Sequence, residues 1–168
     1  MSTTFSHRNL PRLLLQAREA LMAHNRPRLR EHGLSDQQWR VLRVLGEHGT
    51  VETGRVAREA FILGPSLTGV LARMERDGLI RRERDPADQR RTVIEATAKG
   101  RRVVDKLSRT VEAHYEWMGK SLGKQKLEQL YRLLDELIEL ELAQGGEIRT
   151  GAPAAKTPRP RRGAQAAA

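Results

Sequence analysis

Apolar residues recur at helical spacing through Leu14, Ala17 and Leu21 to the stretch Pro27–Leu29, which predicts a first helix from Pro11 to about Arg30. Asn9-Leu10-Pro11 is a start signal, because proline in the first turn forfeits no helical hydrogen bond, and Gly33 is a stop. Ser35-Asp36-Gln37-Gln38 has the form of a capping box, in which the serine caps the first turn and the glutamine reaches back. Trp39, Leu42, Val44 and Leu45 make the helix that follows strongly apolar. A break is predicted over Gly46 to Thr50, and Thr53 is predicted to cap a short helix carrying Val56, Ala57 and Ala60.

Leu63-Gly64-Pro65 is a turn, and the helix after it runs to Arg76 with Leu67, Val70, Leu71 and Met74 on one side. Ser66, Thr68, Gly69, Arg73 and Arg76 are left for the other faces. Asp77-Gly78 stops that helix. The β-prone runs Leu79 to Arg84 and Thr92 to Ala96 then flank the turn Asp85-Pro86-Ala87-Asp88, a hairpin pattern. A helix from Thr97-Ala98-Lys99-Gly100 to about Leu122 bears Val103, Val104, Leu107, Val111, Tyr115 and Met118. After Gly123 a last helix bears Leu127, Leu130, Leu133, Leu134, Leu137 and Leu140.

Two helices joined by a tight turn and followed directly by a basic hairpin are the plan of a winged helix-turn-helix. The expected fold is therefore mainly α with a small β-wing. The winged helix-turn-helix lobe spans 34–97, and 9–33 with 98–142 form a helical dimerisation region. Residues 1–8 are an N-terminal arm, and 143–168 a disordered basic tail of Gly, Ala, Pro, Lys and Arg. The long helices carry more leucine than the winged unit could cover, which points to a two-fold interface. Packing within one chain is the alternative, and the leucine pattern alone does not decide between them.

Small and hydroxylated side chains at the start of the second helix, Pro65, Ser66, Thr68 and Gly69 with Arg73, permit close approach to base edges in a major groove. An ordinary surface helix would read the same; the neighbouring hairpin favours the DNA reading. Arg81, Arg82, Arg84, Arg90 and Arg91 line or flank that hairpin, and arginine suits both phosphate contact and a narrow minor groove. Asp88, two residues before Arg90, is expected to accept that guanidinium's hydrogen bonds and fix its direction. For Arg82 or Glu83 a solvated ion pair is the simpler reading.

Charge strengthens the case for a polyanionic partner. The net charge is +10, and residues 1–142 hold 26 Lys and Arg against 20 Asp and Glu, so the body is basic without the tail. The stretch from Ala143 onward adds five basic residues and one acid. There is no cysteine, which removes disulfides, thiolate catalysis and Cys-based zinc sites. No apolar run resembles a signal peptide or approaches a membrane span, so a cytoplasmic location is expected. His7, His24, His32, His48 and His114 lack metal-ligand spacing, and no glycine-rich phosphate loop follows a strand. An enzyme, a metal and a cofactor are accordingly not expected. Double-stranded DNA is the expected partner.

The order of elements resembles the MarR family of dimeric winged-helix regulators over about Asn9 to Leu142. The residues that carry the resemblance are LSDQQWRVLRVL at Leu34 to Leu45, PSLTGVLARMERDGLIRR at Pro65 to Arg82, DPADQRRTVIEATAKG at Asp85 to Gly100, and the leucine-rich last helix. The Asp88-x-Arg90 wing element followed by Thr97-x-Lys99-Gly100 is the most specific of these. Its LP-x-LLL-x-AREA first helix and QQWRVLR second helix are similar to the subgroup named for repressors of homoprotocatechuate degradation. Asn25 departs from that pattern, which has an aromatic before Arg26-Pro27, and the basic tail is extra to it.

The resemblance implies a homodimeric repressor of catabolic or secondary-metabolism genes, released from a palindromic operator by a small aromatic or heteroaromatic carboxylic acid. Carried over by position, it places Pro65, Ser66, Thr68, Gly69 and Arg73 toward the major groove and Arg90 toward the minor groove, with Arg84, Asp88 and Arg91 in the same wing. It also implies an effector site between the first helix, the second helix and the dimer helices. An aromatic acid there needs a fixed cation, a flat apolar wall and a neutral hydrogen-bonding group. Arg18 is the expected anchor, Trp39 and Leu14 the walls, with His7 and Arg40 as further polar candidates. Pairing of Arg18 with Glu19 or Glu141, and a core role for Trp39, are the alternatives. A sequence-tolerant architectural DNA-binding protein is the alternative function.

Overall fold

Leu10–Glu31 forms the first helix, α1, in a computed structural model that describes residues 6–145 of the chain. The Asn9 side chain caps it by accepting from the Arg12 amide at 2.9 Å. Residues 1–5 of the expected arm and 146–168 of the expected tail lie outside the described residues. Helix α2 (Asp36–His48) opens on the full capping box: Gln38 N donates to Ser35 Oγ at 3.2 Å, and Ser35 N to Gln38 Oε1 at 2.8 Å.

The break expected over Gly46 to Thr50 falls within that span: helix α2 runs through Gly46 and ends at Gly49, whose φ of 73° is one that glycine adopts without strain. Gly46 serves packing: a Cβ there would stand 3.3 Å from Val104 Cγ1, so the missing side chain lets the helix bearing Val104 come close. Strand β1 (Val51–Glu52) follows, an element too short to show any periodicity in the sequence. Thr53 begins helix α3 (Thr53–Glu59) but does not cap it. Its hydroxyl donates instead to the Thr92 carbonyl at 2.9 Å, tying α3 to the sheet.

Helix α4 (Gly64–Arg76) and strands β2 (Ile80–Arg84) and β3 (Thr92–Ala96) stand where the sequence placed the second helix and the hairpin. The sheet is antiparallel in the order β1-β3-β2, with Val51 opposite Ile94 and Ile80 opposite Ala96. Helices α5 (Ala98–Leu122) and α6 (Lys124–Ala143) complete the chain. The fold is a mainly α winged helix with a three-stranded wing sheet.

The core is built from α2, α3, α4 and the sheet. It reaches outward through Leu29 of α1 and Leu107 and Val111 of α5, with Met22, Val103, Val104 and Tyr115 packed against it. Thr97 joins the sheet to α5. Its Oγ1 accepts from Gly100 N at 3.1 Å as a cap and donates to the Gly78 carbonyl at 2.6 Å. Helix α6 has no buried residue at all, although Leu130, Leu133, Ile138, Leu140 and Leu142 are on it. Leu10, Leu13, Leu14, Leu15 and Leu21 on α1 are exposed as well. Such a run of uncovered leucines is far beyond the scattered surface apolar residues of a monomer.

Candidate nucleic-acid interface

Helix α4 is held by Leu67, Val70, Leu71 and Met74, each at most 2 % exposed. With that stripe buried, helical geometry turns Pro65, Ser66, Thr68 and Arg73 outward, and Gly69 is half-buried among them. The five residues the sequence singled out on this helix thus lie together on its outer side. Leu63 stands at the N-cap with no side-chain cap bond, so the first amides of α4 are open to an external acceptor. The turn into α4 is clamped from α2. Arg40 Nη1 donates to the Ala60 carbonyl at 2.6 Å and to that of Phe61 at 2.9 Å.

The wing tip is closed by short bonds. Asp85 N donates to the Arg91 carbonyl at 3.0 Å, Arg91 N to the Asp88 carbonyl at 2.9 Å, and Ala87 N to Asp85 Oδ1 at 2.8 Å. Asp88 does not hold the Arg90 guanidinium as expected. Its Oδ1 accepts the Arg90 backbone amide at 3.0 Å, while Oδ2 takes Arg91 Nε at 3.2 Å. The tight turn directs Asp88 inward, where the backbone amide of Arg90 is nearer than its side chain. Arg91 also reaches Glu52 Oε2 at 3.4 Å, joining the wing to β1.

Among the described residues the Arg90 side chain makes no hydrogen bond or ion pair, so its charge faces outward from an ordered backbone. Arg84 donates within the wing, to the Gln89 carbonyl at 3.3 Å. Arg81 pairs with Glu95 and Arg82 with Glu75, which leaves both largely neutralised by neighbours. The hydrogen bond from Arg82 is the main reason the Glu75 carboxyl titrates below its usual value.

Of the five expected effector residues, Arg18 and Arg40 have guanidinium groups engaged by other groups of the chain. Arg18 donates to Glu19 Oε1 and to Asp36 Oδ2, both at 2.8 Å. The guanidinium of Arg40 is committed to the turn before α4, and burial pulls its pKa below the ordinary value. Trp39 belongs to the core at 6 % exposure, while Leu14 and His7 are exposed. Two other polar groups, on α1 and α2, carried no signal in the sequence beyond the departure at Asn25. Asn25 Oδ1 is buried without a hydrogen-bond partner on the α1 stripe that also bears Met22 and Leu29. Arg43, one turn beyond Trp39, is paired only with Glu47, at 3.1 Å on the surface.

A larger groove of about 1000 Å³ runs between α1, α5 and α6, walled by Leu21, Trp117, Leu130, Tyr131 and Leu134 among others. His24 and His114 stack across it with ring centroids 3.8 Å apart, and Trp117 lies against His114 at 5.4 Å. Burial lowers the His114 pKa, with the charges of His24 and Arg28 acting in the same direction, so the neutral form of the His114 ring is favoured. No described helix is long and apolar enough to cross a membrane.

Residues 32–91 match the model of the MarR family. The chain is 40 % identical to the HTH-type transcriptional regulator FarR of Neisseria gonorrhoeae, over 84 % of this chain and 97 % of that protein. It is 41 % identical to the homoprotocatechuate degradative operon repressor of Escherichia coli, over 80 % of this chain and 90 % of the relative. Among solved structures it is similar to NadR in complex with 4-hydroxyphenylacetate, at 41 % identity and a TM-score of 0.74, covering 82 % of this chain and 97 % of that one. These relatives are regulators of transcription, not enzymes.

Proposed function

The chain belongs to the MarR family of DNA-binding transcriptional regulators, and from that premise we propose that it is a homodimeric repressor released from a palindromic operator by a small aromatic carboxylic acid. The observation that carries the reading is the pairing of two outward features on one ordered lobe. The small-residue face of α4 suits a major groove, and the unpartnered Arg90 at the wing tip suits the minor groove beside it. Residues 34–97 act as the reading lobe, and 9–33 with 98–142 as the dimerisation region. The uncovered leucines of α1 and α6 support that division. Each protomer would then read one half-site, and the protein would work in the cytoplasm.

Relatives' names point to the effector class: one represses a homoprotocatechuate operon and one was solved with 4-hydroxyphenylacetate. Helices α1 and α2 carry groups of the chemical kinds such an acid needs. Trp39 offers an apolar ring, Asn25 an unsatisfied amide oxygen, and Arg43 a cation on the same face of α2 as Trp39 and Gly46. Arg18, the anchor expected from the sequence, is held by Asp36 and Glu19, and a ligand carboxylate would have to displace one of them. An acid that binds better when the two lobes stand at a spacing unsuited to DNA must weaken DNA binding by reciprocal linkage.

The test is titration of a duplex from upstream of the protein's own coding region, and of a scrambled duplex, at fixed salt. It is run with and without 4-hydroxyphenylacetate and related aromatic acids. Selective binding, lost on adding one acid, is the expected result. Equal binding to both duplexes, unmoved by any acid, would replace the repressor with a sequence-tolerant architectural protein. Arg43→Met is expected to raise the half-effective acid concentration about tenfold, the loss of one charge-assisted hydrogen bond, and Arg18→Met to change it less than about twofold. Arg90→Ala is expected to weaken binding to the selected duplex about tenfold and to lower the salt slope by about one, as the loss of one DNA contact does. An unchanged salt slope would remove Arg90 from the interface.

A further inference from the structure

We propose that Arg40 is a positioning residue for α4, and that an ion-pair chain from α1 governs its grip on the turn before that helix. The turn 60–63 sets the angle at which α4 leaves the core. Phe61 within it has a φ of 50°, a left-handed conformation that a bulky residue keeps only when its surroundings hold it. Its side chain is 61 % exposed, so side-chain packing does little of the holding. The backbone supplies Phe61 N to Arg58 O at 3.2 Å and Ile62 N to Ala57 O at 3.1 Å. Arg40 Nη1 supplies the rest, binding the two carbonyls that α3 leaves without helical partners.

Behind Arg40 the chain of charges leads to α1. Asp36 Oδ2 lies 3.9 Å from Arg40 Nε and accepts Arg18 Nη2 at 2.8 Å. Arg18 continues to Glu19 at 2.8 Å, and Glu19 to Arg26 at 2.5 Å. Asp36 Oδ1 and Arg40 Nε are both buried with no partner. An acceptor and a donor thus stand on neighbouring groups, each carrying the cost of an unmade hydrogen bond. The bond from Arg18 holds Asp36 away. Without it, Asp36 closes on Arg40, the guanidinium swings toward the carboxylate, and the turn carbonyls are released. A shift of α1 is in this way felt at the turn before α4, whose Ala60 lies 20 residues beyond Arg40 in the chain.

The inference rests on the repressor reading only in taking α4 as the helix that meets DNA. Its test needs no DNA: amide hydrogen exchange on the full-length protein, free in solution. Arg18→Gln, a substitution on the half-exposed face of α1, is expected to speed exchange at Ile62 and Leu67 about two- to fivefold, the range open to one exposed ion pair. Arg40→Gln is expected to speed it about tenfold or more, because it removes bonds from a charged donor. The double variant should exchange no faster than Arg40→Gln alone, since both act through one chain. Exchange at Ile94, in the centre of the sheet, should stay at the wild-type rate in all three. Arg40→Lys keeps the charge while reaching only one carbonyl, and is expected to fall between wild type and Arg40→Gln. Unchanged exchange in Arg18→Gln, or additive effects in the double variant, would overturn the proposal. Loss of duplex selectivity in the wild type would overturn the repressor reading and leave the exchange result standing.

Discussion

Replacing Leu133 with glutamate is expected to turn a dimer into a monomer at micromolar concentration. Binding to the selected duplex should fall roughly a hundredfold or more, because two linked half-sites become two independent ones. Leu133 is 53 % exposed on a helix with no buried residue, in line with Leu130 and Leu140. Burying a leucine contributes about 1.5–3 kcal/mol, and two-fold symmetry uses each contact twice. A glutamate in its place must either remain solvated, which opens the interface, or lose its charge. Sedimentation velocity reads the first consequence and duplex titration the second. Leu133→Ala, which removes apolar area without adding charge, should fall between the two. A Leu133→Glu protein that stays dimeric and keeps its affinity would show that the leucine face of α6 is not the interface.

Gly100→Ala carries the largest expected effect on the fold itself. The new Cβ would stand 2.1 Å from the Leu79 carbonyl oxygen and 3.2 Å from its carbon. Both are backbone atoms at the start of the hairpin, so no side chain can rotate out of the way. The same carbonyl accepts Thr97 N at 3.0 Å, and Thr97 in turn caps α5. Relief therefore requires α5 to move away from the wing and break that cap. A cost of about 3 kcal/mol is expected, at the upper end for overpacking. Calorimetry should record a melting temperature lower by roughly 10 °C for a chain of this size. Gly54→Ala on α3 is the control, since its Cβ would meet only side-chain atoms no nearer than 3.8 Å. A Gly100→Ala protein that melts with the wild type would mean that α5 and the hairpin are not rigidly joined.

That junction also explains why Thr97-x-Lys99-Gly100 was such a specific part of the sequence pattern. The threonine caps the helix, Lys99 Nζ donates to the Asp77 carbonyl at 2.8 Å, and the glycine admits the Leu79 backbone. Three residue types in four positions meet three local demands. They are legible because the demands act within one turn of helix.

The outward face of α4 was legible for the same reason. A buried stripe at helical spacing dictates what remains outside, and Leu67, Val70, Leu71 and Met74 occupy that stripe. The wing was placed correctly as a hairpin, but its charge pattern was not. Asp88 stands two residues from Arg90 and three from Arg91, and spacing alone does not reveal which donor the turn brings round. Arg18 sits amid an apolar stretch of sequence, which reads as a cation facing a ligand. In the fold Asp36, 18 residues on, takes it.

What the sequence determined by itself is whatever depends on neighbours within about one helical turn or one hairpin: six helices, the caps at Asn9, Ser35 and Thr97, the wing, and the apolar faces of the long helices. Only the tertiary structure decided what each distant group meets. It paired β1 with β3, made Gly46 a seat for Val104, and brought Arg40 to the carbonyls of Ala60 and Phe61. The physical reason is range. Backbone dihedrals and helical periodicity act between residues close in the chain, so they leave a pattern there. An ion pair or a buried donor is satisfied by whichever group the finished packing brings within about 3 Å, and the chain separation of the two partners carries no trace of it.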